Sequence, residues 1–292
     1  MGARRLSRVK SRAIAFGSLL VLQAALVVTG GAVRLTGSGL GCPTWPQCTP
    51  GSYTPVPHQA EGQLHAWIEF GNRLLTFALV AVALIVLAMV LRGGRKDLRL
   101  LALGQVLGIF GQGVLGGITV LTNLNPIPVA GHLLLSIVLI SGALSLFQRR
   151  NVSATKISNA SNPISIISRV HIALAFLVIA LGTIVTGSGP HAGDLQAKRF
   201  GFEIRTVAWL HADAVIALLG LSLTLYFVNG VSKKTKKVLR AFFIIALLQG
   251  FIGYLQYFTG IPEILVAAHL LGATLVWIAA WRIRLSIIRV TN

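Results

Sequence analysis

The sequence predicts an all-α integral membrane protein of eight transmembrane helices, arranged as two four-helix bundles related by a pseudo-twofold. Three observations carry this. Of 292 residues, 54% are hydrophobic and only 11% charged, too little polar surface to cover a soluble domain of that length. The apolar residues fall into eight runs, each close to the roughly 20 residues that a helix needs to cross a bilayer core. The chain also repeats itself. Gln112-Gly113-Val114-Leu115-Gly116 with His132 returns as Gln249-Gly250-Phe251-Ile252-Gly253 with His269, at one offset of 137 residues. Thr36-Gly37-Ser38-Gly39, closing the first run, is echoed by Thr186-Gly187-Ser188-Gly189, closing the fifth. The halves are expected at 1–150 and 151–292.

The runs are read at about 13–33, 66–91, 98–121, 129–147, 166–187, 206–228, 238–258 and 264–281. The first follows a basic N-terminus as a signal peptide would, but it is long and no small-x-small cleavage pattern comes after it, so a retained helix is expected. The net charge of +19 raises nucleic acid as a partner. Its distribution argues otherwise. Most of the 26 Lys and Arg lie before run 1 (Arg4, Arg5, Arg8, Lys10, Arg12), between runs 2 and 3, 4 and 5, 6 and 7, and at the C-terminus. All of these segments fall on one side of an eight-helix topology. The positive-inside rule makes that side cytoplasmic, with both termini there and the protein in the cell membrane. Charge is thus explained by topology, and no nucleic-acid partner is expected.

The opposite side carries loops at about 35–65, 122–128, 188–205 and 259–263. The first holds the only two cysteines, in Cys42-Pro43-Thr44-Trp45-Pro46-Gln47-Cys48. A close pair facing an oxidising compartment favours a disulfide. A metal site would want further ligands, and only His58 is near; a redox-active thiol pair is the other alternative.

The second run opens with His65, Glu69, Asn72 and Arg73, which share one helix face at the outer end. An interfacial collar, with Arg73 snorkelling outward and pairing Glu69, is the plain explanation of Arg73. Glu69 is harder to dismiss, because a carboxylate inside a span is costly and by default functional. The matching helix of the second half places His211 where the first half has Asn72. Of the seven histidines, His58 and His191 fall in outer loops and are expected in solvent, and His171 is expected at the opposite interface. His132, His211 and His269 share one depth near the outer helix ends. A single membrane histidine is usually a satisfied structural residue; three at one level, two of them related by a repeat, point to a shared prosthetic group.

No span contains cysteine and few contain carboxylates, so iron–sulfur and di-iron carboxylate sites lack their ligands. Paired neutral imidazoles suit heme iron, with glycines such as Gly116 and Gly253 leaving room for a flat macrocycle. His211 and His269 make one complete pair within the second half.

These residues are similar to a known family. Thr36-Gly37-Ser38-Gly39-Leu40-Gly41-Cys42-Pro43 with Trp45-Pro46 and Cys48, then Ile68-Glu69-Phe70-Gly71-Asn72-Arg73, then Thr186 to Asp194, closely resemble the heme A synthase family across essentially the whole chain. The resemblance implies an oxidoreductase that converts the C8 methyl of heme O to the formyl of heme A by successive hydroxylations. It also implies heme b in the C-terminal half, ligated by His211 and His269, and substrate heme O in the N-terminal half, ligated by His132 beside an essential Glu69. Cys42 and Cys48 match the family's outer-loop pair. Implied partners are heme O, heme O synthase, cytochrome oxidase assembly factors and membrane lipid, with heme A going to an aa3-type oxidase. The sequence departs at Asn72, where many members carry histidine. His65 is the weak candidate to replace it, set about 10 Å away along a helix. The rival readings are a non-catalytic di-heme b-type electron carrier, which has no need of Glu69, and a repeat-built transporter using His and Glu as a proton relay.

Overall fold

The computed structural model describes residues 2–151, 157–158, 162–194, 197–287 and 289–290. Eight helices run α1 Gly2–Leu35, α2 Gln63–Arg92, α3 Lys96–Leu121, α4 Pro126–Arg149, α5 Asn162–Ser188, α6 Ile204–Phe227, α7 Lys233–Phe258 and α8 Glu263–Ile287. All eight are long and apolar enough to cross a membrane. A two-residue antiparallel ladder, β1 Ile157–Ser158 with β2 Arg289–Val290, adds to them.

Helix ends follow local chemistry rather than the apolar boundary. The α1 helix starts well before its apolar run, since Arg and Lys are good helix formers and nothing in the basic stretch stops the helix. Ser232 caps α7 by accepting the Thr235 amide at 3.1 Å, which places the start ahead of the apolar segment. At α4, Asn125 Oδ1 accepts the Ile127 amide at 3.0 Å and Pro126 occupies the first turn. The α2 helix ends at Gly93-Gly94, with Gly94 at φ 66°, the left-handed turn that glycine adopts without strain.

The chain divides into two compact units, residues 1–154 with 191–199, and 155–190 with 200–292. In the first, α1 packs on α2 and α4, and α3 on the same two, closing a four-helix ring. In the second, α5 packs on α6 and α8, and α7 on the same two, repeating that arrangement. Consequently α2 and α4, and likewise α6 and α8, stand on diagonals.

Burial is uneven along each bundle. The first unit's core joins Phe16 and Leu19 of α1, Leu79 to Val90 of α2, Leu98 to Ile109 of α3 and Leu139 to Leu146 of α4, all toward the basic ends. Between lipid-solvated helices the hydrophobic effect gives little, so close packing and hydrogen bonds hold them. Gln23 donates to Gln105 at 3.1 Å and Gln105 to the Leu139 carbonyl at 3.0 Å, a buried chain across three helices. In the second unit the buried residues of α6 (Leu218, Ser222, Leu225), α7 (Thr235 to Ala246) and α8 (Thr274 to Ile287) also lie in the basic half. The opposite half of each bundle is where His132, His211 and His269 sit.

Candidate functional site

The second unit brings His211 of α6 and His269 of α8 together across the diagonal, with ring centroids 6.5 Å apart and ring planes at 67°. His211 Nδ1 lies 3.0 Å from the Val178 carbonyl of α5. A carbonyl only accepts, so Nδ1 carries the proton and Nε2 keeps its lone pair, the state of a metal-ligating imidazole with an oriented second nitrogen. His269 Nδ1 is buried without a hydrogen-bond partner. Each ring rests on a glycine of a neighbouring helix: a Cβ at Gly182 would lie 3.3 Å from His211 Cε1, and one at Gly253 3.1 Å from His269 Cε1. Gln249, one turn before Gly253, donates to the His269 carbonyl at 2.7 Å. Gln-x-x-x-Gly is therefore a socket, the glutamine gripping the backbone of the histidine and the glycine receiving its ring. The room expected at Gly253 for a macrocycle is taken by the imidazole itself.

The fit to heme rests on this geometry. Among the described residues no cluster of three or more His, Cys, Asp or Glu is placed to hold a metal ion. Two imidazoles 6.5 Å apart span one metal atom at bonds of about 2 Å, the length known for zinc, and suit a metal whose other ligands come from a macrocycle. Crowding the socket should loosen it. Gly253→Ala is expected to reduce retained heme several-fold, read from extracted pigment, while Gly220→Ala, where a Cβ meets nothing within 4 Å, leaves it unchanged.

The first unit repeats the socket. Gln112 donates to the His132 carbonyl at 3.0 Å and to Ser136 Oγ at 2.6 Å, and a Cβ at Gly116 would lie 3.2 Å from His132 Nε2. Across the diagonal, α2 presents Asn72, whose Oδ1 accepts the Thr29 hydroxyl of α1 at 2.7 Å. His65 lies in the first turn of α2, with Nδ1 2.8 Å from Ser38 Oγ. The helix is continuous from Gln63, so His65 stands about 10 Å along the axis from Asn72.

Glu69 is 7% exposed. Its Oε2 accepts the Cys42 amide at 2.7 Å, and its Oε1 accepts Arg73 Nε at 3.1 Å and Nη2 at 2.6 Å. Arg73 does not snorkel: it donates to the carbonyls of Cys42, Thr44 and Gln47 at 3.0 to 3.2 Å. The pair clamps the cysteine loop onto α2. The loop lies so close that a Cβ at Gly41 would fall 2.4 Å from the His65 carbonyl oxygen, and one at Gly117 of α3 2.5 Å from the Trp45 ring. Cys42 and Cys48 form a disulfide, and both are fully buried. Alkylation without reductant should therefore label neither sulfur, and two labelled thiols in protein from an oxidising membrane would contradict the bond. By loop-closure entropy the crosslink contributes about 2 kcal/mol.

Two other histidines depart from expectation. His171 is not interfacial: it is fully buried, its Nε2 2.9 Å from Ser222 Oγ and its ring edge-on to Phe242, because α5 begins at Asn162 and carries position 171 into the core. His191 is half-buried rather than solvated, in a segment beside Ala192 and Ala197, which pack with Leu124. His58 is exposed, as expected. Thr29 and the loop carbonyls that Arg73 holds were not singled out by sequence. The pairing of Thr29 with Asn72 had one readable trace, a polar residue on the α1 run.

Residues 13–193 match the model of a family described as COX15-CtaA, cytochrome oxidase assembly protein. The chain belongs to this family. Among similar proteins, a heme A synthase of Shewanella oneidensis is 31% identical over 182 residues, 58% of this chain and 53% of that protein. One of Azorhizobium caulinodans is 28% identical over 324 aligned residues, 91% of this chain and 90% of that protein. One of Geobacillus thermodenitrificans is 29% identical over 110 residues, 37% of this chain and 32% of that protein. The chain thus spans about half the length of the first relative in that alignment and nine tenths of the second.

Proposed function

We propose that this COX15-CtaA member is a heme A synthase, an oxidoreductase that takes the C8 methyl of heme O through successive hydroxylations to the formyl of heme A. The observation that carries the reading is the opposed imidazole pair His211–His269 in a chain similar along nine tenths of its length to a heme A synthase. In this reading residues 151–292 hold heme b through His211 and His269, and residues 1–150 hold heme O through His132. A heme so held supplies one-electron transfer between its ferric and ferrous states.

The rest is the work of the chain's own groups. Val178 fixes the His211 tautomer, and the Gln-Gly sockets aim His132 and His269 into their bundles. Glu69, with both oxygens engaged, holds the disulfide loop over the outer end of α2 and places a carboxylate beside the substrate pocket, where it can bind or relay a proton. Heme O synthase and oxidase assembly factors are the partners this role requires. In this reading the positive-inside rule puts both termini in the cytoplasm and the loop outside.

The test is conversion. Membranes that accumulate heme O and carry this chain should yield heme A in extracted pigments, and membranes carrying His132→Ala should not. Two permanently bound b hemes without conversion would support the electron carrier instead.

A further inference from the structure

Asn72 occupies the place that the repeat gives to His211, and the correspondence is physical as well as sequential. Each is tied to the preceding helix of its own bundle, Asn72 to Thr29 of α1 at 2.7 Å and His211 to Val178 of α5 at 3.0 Å. Each has a glycine of that helix beside it: a Cβ at Gly30 would lie 4.0 Å from Asn72 Nδ2, and one at Gly182 3.3 Å from His211 Cε1.

The orientation of the amide follows from the Thr29 hydroxyl. Its oxygen lies 3.1 Å from the Ala25 carbonyl, 3.4 Å from the Leu26 carbonyl and 2.7 Å from Asn72 Oδ1. A hydroxyl has one proton, and 2.7 Å is the favoured O–H···O distance, so the proton goes to Asn72. That engages Oδ1 and leaves Nδ2, a donor only, beside Gly30 with no acceptor among the described residues.

We propose that Asn72, oriented by Thr29, is a hydrogen-bond donor toward the axial side of the first-half heme opposite His132, so that this side stays open to small ligands. The second half closes the same position with an imidazole. The inference rests on the reading that His132 holds a heme. An amide N–H has no lone pair to give iron, but it can donate to a small anion bound there. Asn72 would thus set ligand affinity, and Thr29 is the residue that positions it.

The test uses the full-length purified protein loaded with ferric protoheme and titrated with sodium azide, followed by absorption. Wild type should show an azide-binding phase that His132→Ala removes. Asn72→Leu should weaken that phase about tenfold or more, the worth of one hydrogen bond to a charged acceptor, and Thr29→Val should weaken it less, both with heme content unchanged. Asn72→His should convert the site to a low-spin spectrum and abolish azide binding. Wild-type azide affinity in Asn72→Leu and Thr29→Val, or a high-spin, azide-binding Asn72→His, would overturn the donor assignment while the His132 dependence still upheld the heme site. An azide phase missing from wild type, or indifferent to His132→Ala, would overturn both.

Discussion

Replacing His211 or His269 with alanine is expected to strip the low-spin heme b proposed for the second unit from the purified protein. In the proposed site each imidazole is one of two protein ligands across that diagonal, with the rings 6.5 Å apart. Losing even an outer partner of a metal ligand typically costs roughly 10- to 100-fold in metal affinity, so losing the ligand itself should reduce retained heme at least about tenfold. Any heme that remains should be high-spin. His132→Ala, on a diagonal of the other unit, should leave the low-spin band intact. A wild-type spectrum in both His211→Ala and His269→Ala would refute the assignment.

The second large effect is at Glu69. Glutamine keeps the size of the side chain but offers one acceptor oxygen where the carboxylate offers two, and both are in use, one by Cys42 and one by Arg73. Glu69→Gln must release one of these. Because it keeps one bond, it should cost less stability than the ~3–5 kcal/mol of leaving a buried charge without its partner. The protein should fold and hold heme b normally, with heme A production down at least tenfold, the range of a lost acid–base group. Arg73→Lys divides the two roles of Glu69. It gives up guanidinium bonds to the loop carbonyls of Cys42, Thr44 and Gln47 while keeping a positive charge beside the carboxylate, and should retain more activity than Glu69→Gln. Heme A made at the wild-type rate by Glu69→Gln, with His132→Ala inactive, would leave the carboxylate no part in the reaction.

The spans and the repeat were legible in the sequence for a plain physical reason. A bilayer demands runs of about 20 apolar residues, and a duplicated unit shows itself as a constant offset. His132, His211 and His269 were legible because an imidazole in such a run stands out. What they rest on was not. Hydropathy marks Gly116 and Gly253 as small, but only the fold shows that the histidine ring fills the space. The pairing of Glu69 with Arg73, four residues on, was legible from helical spacing, but its other partner, the Cys42 amide, lies in a loop that no periodicity describes, 27 residues away in the chain. His171 was misplaced because α5 starts at Asn162, ahead of its apolar run, so that position 171 falls inside the bundle rather than at its end.

The Gln112 and Gln249 bonds to the carbonyls of His132 and His269 bear on how heme enters. In lipid, a helix can turn about its long axis at little cost, because every apolar face is equally well solvated. Turning by one residue, about 100°, would swing a histidine out of its bundle. Each glutamine bond, of the order of 0.6 kcal/mol as such bonds go in membranes, selects one rotation before any ligand arrives. In the proposed function heme would then meet imidazoles already aimed, with little of its binding energy spent on ordering them. On that reading the apoprotein is a receptacle, and insertion is an act of docking rather than of folding.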